Sequence, residues 1–179
     1  NEADLFSFAS LIPSDYHVVS LQAPLGLGMG YAWFPIHFEE NMERWTSPEE
    51  AQHAIDYVTS FLTYYTEKND VDANNITLLG FSQGAMLSYS VGLAHPNVSA
   101  IAALSGYLDQ RLVRFDNLNK TIYVSHGEQD MVVPYAWAAQ SVALLKENGY
   151  SPTWLSYPQG HGVNQDNLNS LMQWLDARL

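Results

Sequence analysis

The stretch Ile76-Thr77-Leu78-Leu79-Gly80-Phe81-Ser82-Gln83-Gly84-Ala85-Met86-Leu87-Ser88-Tyr89-Ser90-Val91 decides the fold. Its apolar, β-branched start predicts a strand. Its second half predicts a helix over 83–95, ended by His95-Pro96 because the residue before a proline avoids the α region. Between them Gly80-Phe81-Ser82-Gln83-Gly84 predicts a sharp strand-to-helix turn, with two glycines keeping Cβ atoms out of the bend. Such a turn lifts the Ser82 hydroxyl above the sheet end, beside a helix N-terminus that favours negative charge.

Outward from this unit, helix and strand signals alternate, which predicts an α/β fold with a mainly parallel sheet flanked by helices. Further strands are expected at 16–21, 99–104, 121–125 and 153–157, and a short helix at 2–11. Ser47-Pro48-Glu49-Glu50 predicts a helix start with Ser47 as N-cap, Pro48 at the first turn and Glu50 completing a capping box. Ile55, Val58, Phe61, Leu62 and Tyr65 then share one face. A later helix opens at Pro134 and closes at Gly149, and Leu168, Leu171, Met172 and Leu175 stripe the last one. Residues 23–46 form a connection long enough to be functional or to carry short structure of its own.

The 179 residues fit one domain, spanning 1–179. A net charge of −12 speaks against nucleic acid and anionic membrane as partners, since both call for basic patches. The absence of cysteine excludes disulfides, a thiol nucleophile and thiolate metal sites. It fits a reducing compartment, and a cytoplasmic location is expected. No apolar run approaches the ~18 residues of a membrane helix, so integral membrane association is not expected. Three Asn-x-Ser/Thr triplets, at Asn75, Asn97 and Asn119, read as chance matches.

A serine hydroxyl becomes a nucleophile only with a base in reach, and the base needs a group that holds its tautomer and stabilises its cation. Two loops after Ser82 combine suitable residues with a place at a strand's carboxyl end. One is His126-Gly127-Glu128-Gln129-Asp130-Met131-Val132-Val133-Pro134, with Asp130 as the acid candidate. The other is Gln159-Gly160-His161-Gly162, with His161 as the base candidate. The chain order serine, acid, histidine is that of the α/β-hydrolases. Glu128 and Asp109 are rival acids, and His126, at a strand end, reads as a satisfied structural histidine. His17, His37 and His53 precede the serine and fit the order poorly. His95 reads as a cation at a helix C-terminus.

Gly80-Phe81-Ser82-Gln83-Gly84-Ala85, Leu104-Ser105-Gly106-Tyr107, the 126–134 segment and Gly160-His161 together resemble the phospholipase/carboxylesterase family of α/β-hydrolases over nearly the whole chain. The resemblance implies the α/β-hydrolase fold, with Ser82 as nucleophile, Asp130 as acid, His161 as base and the Gln83 backbone N–H as an oxyanion donor. It implies hydrolysis of a small-molecule acyl ester or thioester, of short to medium chain, without metal or organic cofactor. Trp33-Phe34 resembles the family's Trp-aromatic-Asp element, with Pro35 where the Asp would stand. Met29, Trp33, Phe34, Met131 and Val132 are the candidate substrate-binding residues. The aromatics of 23–46 either wall an acyl pocket or roof the core.

The chain opens at residues that resemble those just after the family's oxyanion loop. The expectation is an N-terminally incomplete copy, lacking the strand between 17–21 and 76–80 and the second oxyanion donor. The alternative is a non-catalytic hydrolase-like binding protein that has lost half of its oxyanion hole. A peptidase or acyltransferase on the same fold is a further rival, and a homodimer is left open.

Overall fold

The computed structural model describes residues 2–28, 30–38, 44–45, 47–116 and 119–179. The chain opens with α1 (Glu2–Phe6) and a single 3-10 turn (Ala9–Leu11). Two small antiparallel ribbons follow, β1 (Leu25–Leu27) with β2 (Gly30–Ala32) and β3 (His37–Phe38) with β4 (Arg44–Trp45). Then come α2 (Pro48–Lys68), β5 (Ile76–Phe81), α3 (Gln83–Ala94), β6 (Val98–Leu104), β7 (Thr121–Gly127), α4 (Tyr135–Glu147), β8 (Thr153–Tyr157) and α5 (Gln165–Asp176). The long 23–46 connection thus carries short structure of its own.

Strands β5, β6, β7 and β8 pair in that order, all parallel. A parallel pair needs a long crossover, supplied by α3 between β5 and β6, by residues 105–120 between β6 and β7, and by α4 between β7 and β8. Alternate residues of the central strands face opposite layers. Ile101, Ala103, Ile122 and Val124 pack with α2, α3 and α4 residues such as Val58, Leu93 and Leu145. Ala102, Leu104 and Tyr123 pack with Leu171 and Leu175 of α5. Helix α3 is buried along most of its length, from Ala85 to Leu93, so it carries no polar stripe. Each fully buried large apolar side chain here contributes roughly 1.5–3 kcal/mol.

Four local expectations need correction. Residues 16–21 form no strand, since β-structure requires a hydrogen-bonded neighbour and none pairs with them among the described residues. They line, with Thr77–Phe81, a cavity of about 840 Å³ on the outer edge of β5. The 2–11 helix breaks after Phe6 into the separate 3-10 turn. Ser47 does cap α2 by accepting from the Glu50 N–H, but the reciprocal half of the capping box is missing. The Glu50 carboxylate turns instead to His37 Nε2 at 2.7 Å. Finally, burial, with Lys120 nearby, pushes the His95 imidazole below its ordinary range, so it is not the cation at the end of α3. That cation is buried Lys120, whose ammonium donates to His95 O at 2.8 Å and Val98 O at 2.6 Å.

Candidate active site

Ser82 sits at the junction of β5 and α3 with φ 56 and ψ −117. A positive φ on a non-glycine residue costs on the order of 1–3 kcal/mol, so the surroundings must hold it. Ser82 N–H donates to Leu104 O of the neighbouring strand at 2.9 Å, and Ser82 O accepts from Ala85 and Met86. The two motif glycines differ. A Cβ at Gly80 would stand 2.1 Å from Gly84 O, so no larger residue fits there. A Cβ at Gly84 would meet nothing within 4 Å. Of the two motif glycines, only Gly80 is required by the bend.

The ends of β7 and β8 bring the other two groups. Asp130 is buried, and its Oδ1 accepts from the N–H groups of Val132 and Val133, both at 2.8 Å. Its Oδ2 faces His161 Nδ1 at 2.8 Å, and His161 Nε2 faces Ser82 Oγ at 3.1 Å. Burial alone would raise the Asp130 carboxyl, but hydrogen bonds from His161, Val133 and Val132 together with the His161 charge hold it below the usual carboxylate range. An ionised carboxylate only accepts, so His161 Nδ1 carries the proton and Nε2 is left to accept from the serine hydroxyl. The Phe81 ring packs on His161 with centroids 4.8 Å apart.

The acid and base loops interlock at Gly127, where a Cβ would stand 2.3 Å from Gly160 O and 2.4 Å from Gln159 O. Gln129 N–H donates to Gln159 O at 3.0 Å across the same junction. The base loop is tied further at Gly162 O, which accepts from Gln159 Nε2 at 2.7 Å and from Ser105 Oγ at 3.2 Å. Ser105 is the second non-glycine residue at positive φ, 49°, and follows directly on β6. Sequence reading did not assign Ser105 or Gln159 a part in the site. Both lie in quoted segments, Leu104-Ser105-Gly106-Tyr107 and Gln159-Gly160-His161-Gly162, but the Ser-Gly pair at a strand end also reads as an ordinary turn.

His126 is fully buried, and Nε2 meets Val133 O at 2.8 Å. A carbonyl only accepts, so Nε2 carries the proton and Nδ1 is bare. That Nδ1 has no hydrogen-bond partner among the described residues, so His126 is only half satisfied. Burial, ahead of the opposing pull of Val133 O and Asp130, pushes its imidazole below the ordinary range. Nε2 also lies 3.4 Å from Asp130 Oδ2, placing the ring behind the acid. The rival acids are engaged elsewhere: Asp109 holds Arg111 through both oxygens at 2.6 and 3.0 Å, and Glu128 accepts from Ser156 at 2.8 Å.

The candidate substrate-binding residues divide. Trp33 and Phe34 line the cavity that also reaches Ser82 and Gln83. Met131, 89% exposed, and Val132, 42% exposed, do not line that cavity and stand out toward solvent beside Asp130. Met29 lies outside the described residues. Gln83 is the first residue of α3, so its N–H has no partner within the helix and is free to serve an anion beside Ser82. Among the described residues, no group of three or more His, Asp or Glu is placed to hold a metal ion. No helix among them is long and apolar enough to cross a membrane.

A parallel sheet with a strained serine between strand and helix, and a histidine and a carboxylate at the next strand ends, defines the α/β-hydrolase architecture. The sequence profile of the Phospholipase/Carboxylesterase family matches residues 15–179, and the chain belongs to that family of hydrolases. It is 29% identical over 166 residues to lysophospholipase-like protein 1 of Mus musculus, covering 87% of this chain and 68% of that protein. It is 35% identical over 118 residues to acyl-protein thioesterase 1 of Neurospora crassa, covering 61% of this chain and spanning 48% of that relative's length. Among solved structures, esterase PE8 superposes with a TM-score of 0.86 at 24% identity, covering 100% of this chain and 87% of that one. The Bacillus cereus carboxylesterase gives 0.87 at 20% identity, covering 100% and 84%. At these identities the structural matches speak for the fold.

Proposed function

We propose that this protein is a serine hydrolase that cleaves carboxyl esters or thioesters of short to medium acyl chains through an acyl-enzyme. The observation that carries the reading is the unbroken relay Ser82 Oγ–His161 Nε2 at 3.1 Å and His161 Nδ1–Asp130 Oδ2 at 2.8 Å. In this reading His161 takes the proton of Ser82 as its oxygen attacks the substrate carbonyl. Asp130, kept ionised, stabilises the imidazolium that forms. The Gln83 N–H donates to the oxyanion. His161 then protonates the leaving alcohol or thiol, and water repeats the cycle to release the acid.

The substrate class is supported by two observations. The matched relatives are named as a thioesterase and a lysophospholipase-like protein. The segment that the Gln83 side chain holds beside Ser82 carries the apolar side chains of Trp33 and Phe34.

The test is a panel of p-nitrophenyl esters of rising chain length, run beside fluorophosphonate labelling. The expected result is hydrolysis and labelling that Ser82→Ala removes, with kcat/KM falling by at least about 10³-fold. Unchanged rates in that variant would take Ser82 out of its role. A folded protein that neither labels nor hydrolyses would point to the binding-module alternative.

A further inference from the structure

The Gln83 side chain does something separate from its backbone. Trp33 N–H donates to Gln83 Oε1 at 3.0 Å, and Gln83 Nε2 donates to Phe34 O at 2.9 Å. The two backbone groups settle which end of the amide is which, because an N–H must meet the oxygen and a carbonyl must meet the nitrogen. The pair demands a side chain that donates and accepts at once. A carboxylate only accepts and an ammonium only donates, so an amide of glutamine's reach is what the site needs.

The clamped segment lines, together with Ser82, the cavity along β5. Phe34 is 1% exposed within the core, and the Trp33 ring leans on Tyr57 with centroids 6.4 Å apart. Pro35 follows at once and brings no N–H of its own. Position 83 thus holds the wall at the first residue after the reacting serine.

Building on the hydrolase reading above, we propose that the Gln83 amide is a positioning residue for acyl-chain specificity. It fixes the Trp33–Phe34 wall against the elbow, so the far part of the acyl chain meets a set surface while the Gln83 N–H attends the reacting carbonyl. Loosening the clamp moves the wall and leaves the relay in place. The loss then scales with acyl length.

The test compares the unmodified protein with Gln83→Met, which keeps length and apolar bulk but offers neither bond. KM rises about tenfold more on p-nitrophenyl octanoate than on p-nitrophenyl acetate, so the octanoate-to-acetate ratio of kcat/KM falls about tenfold. A loss of equal size on both esters overturns the proposal, as does no change on either. Failure of the hydrolase reading is read separately: the unmodified protein then gives no p-nitrophenol burst that Ser82→Ala abolishes. Should Gln83→Met not fold, hydrogen exchange of the Trp33 amide in the unmodified protein decides. Strong protection of that amide supports the clamp, and exchange at the rate of an unstructured chain overturns it.

Discussion

Residues 76–179 and residues 2–38 are built on different terms. In the first region four strands form one parallel sheet, and large side chains such as Tyr89, Tyr123, Ile101 and Leu145 are fully enclosed. In the second, Phe6, Leu27, Tyr31 and Ile36 are each more than 40% exposed, and the ribbons are two or three residues long. The relay from Ser82 to Asp130 lies wholly in the first region, on loops that leave β5, β7 and β8. The second region supplies a cavity wall, joined to the elbow by one glutamine. Rigid strand ends hold groups to the tenths of an ångström that proton transfer needs, while a wall can tolerate looser support.

The contrast can be broken or sharpened by substitution. The largest effect is expected at Gly127→Ala, where the new methyl would strike Gly160 O and Gln159 O. Backbone on both sides cannot yield cheaply, so stability falls by about 3 kcal/mol and kcat/KM by about 100-fold. Urea unfolding and ester hydrolysis read both, and near-normal values would mean that the two loops are not interlocked. Gly84→Ala is the control at the other motif glycine, and it is expected to raise stability by about 0.5–1 kcal/mol, because its methyl enters open space within a helix.

In the front region, Phe34→Ala should cost about 3 kcal/mol or more in urea, because Phe34 belongs to the main core. Leu27→Ser, at a side chain 60% exposed, should stay within about 0.5 kcal/mol. Equal costs would erase the distinction between the enclosed and the exposed side chains of this region.

A smaller effect is expected from pH. The His126 imidazole has a native pKa below its ordinary 6.5, so the unfolded chain takes up a proton that the native site refuses. Its contribution to stability is complete above that unfolded value and shrinks as pH falls toward the native one. The slope is at most about 1.4 kcal/mol per pH unit. Urea midpoints at pH 7, 6 and 5 should fall more steeply for the unmodified protein than for His126→Gln. Equal slopes would mean that the ring takes up its proton in the native state as readily as in the unfolded chain.

Much of the back region was legible because its signals are local. The run Ile76–Leu79, the bend at Gly80 and the stop at His95-Pro96 each constrain a few neighbouring residues, and the structure places β5 and α3 accordingly. Ser82, Asp130 and His161 were candidates through their order and their places at strand ends, and the structure brings the three side chains together. What escaped was decided by partners far along the chain. Glu50 has the spacing for a capping box, yet His37 draws its carboxylate away. His95 sits where a cation belongs, yet Lys120 reaches the same carbonyl from 25 residues on. Residues 16–21 have the composition of a strand, but pairing is a property of two segments.

The order of side chains along the polymer was enough to determine which groups could react and which segments would coil or extend, since short-range sterics and apolar periodicity act within a few residues. Three-dimensional packing alone decided that the oxygen, the ring and the carboxylate come within about 3 Å of one another. It also decided that Gly80 rather than Gly84 permits the bend, and that an amide beside the serine grips a loop fifty residues earlier. Those outcomes depend on distances between atoms remote in the chain, which no local rule contains.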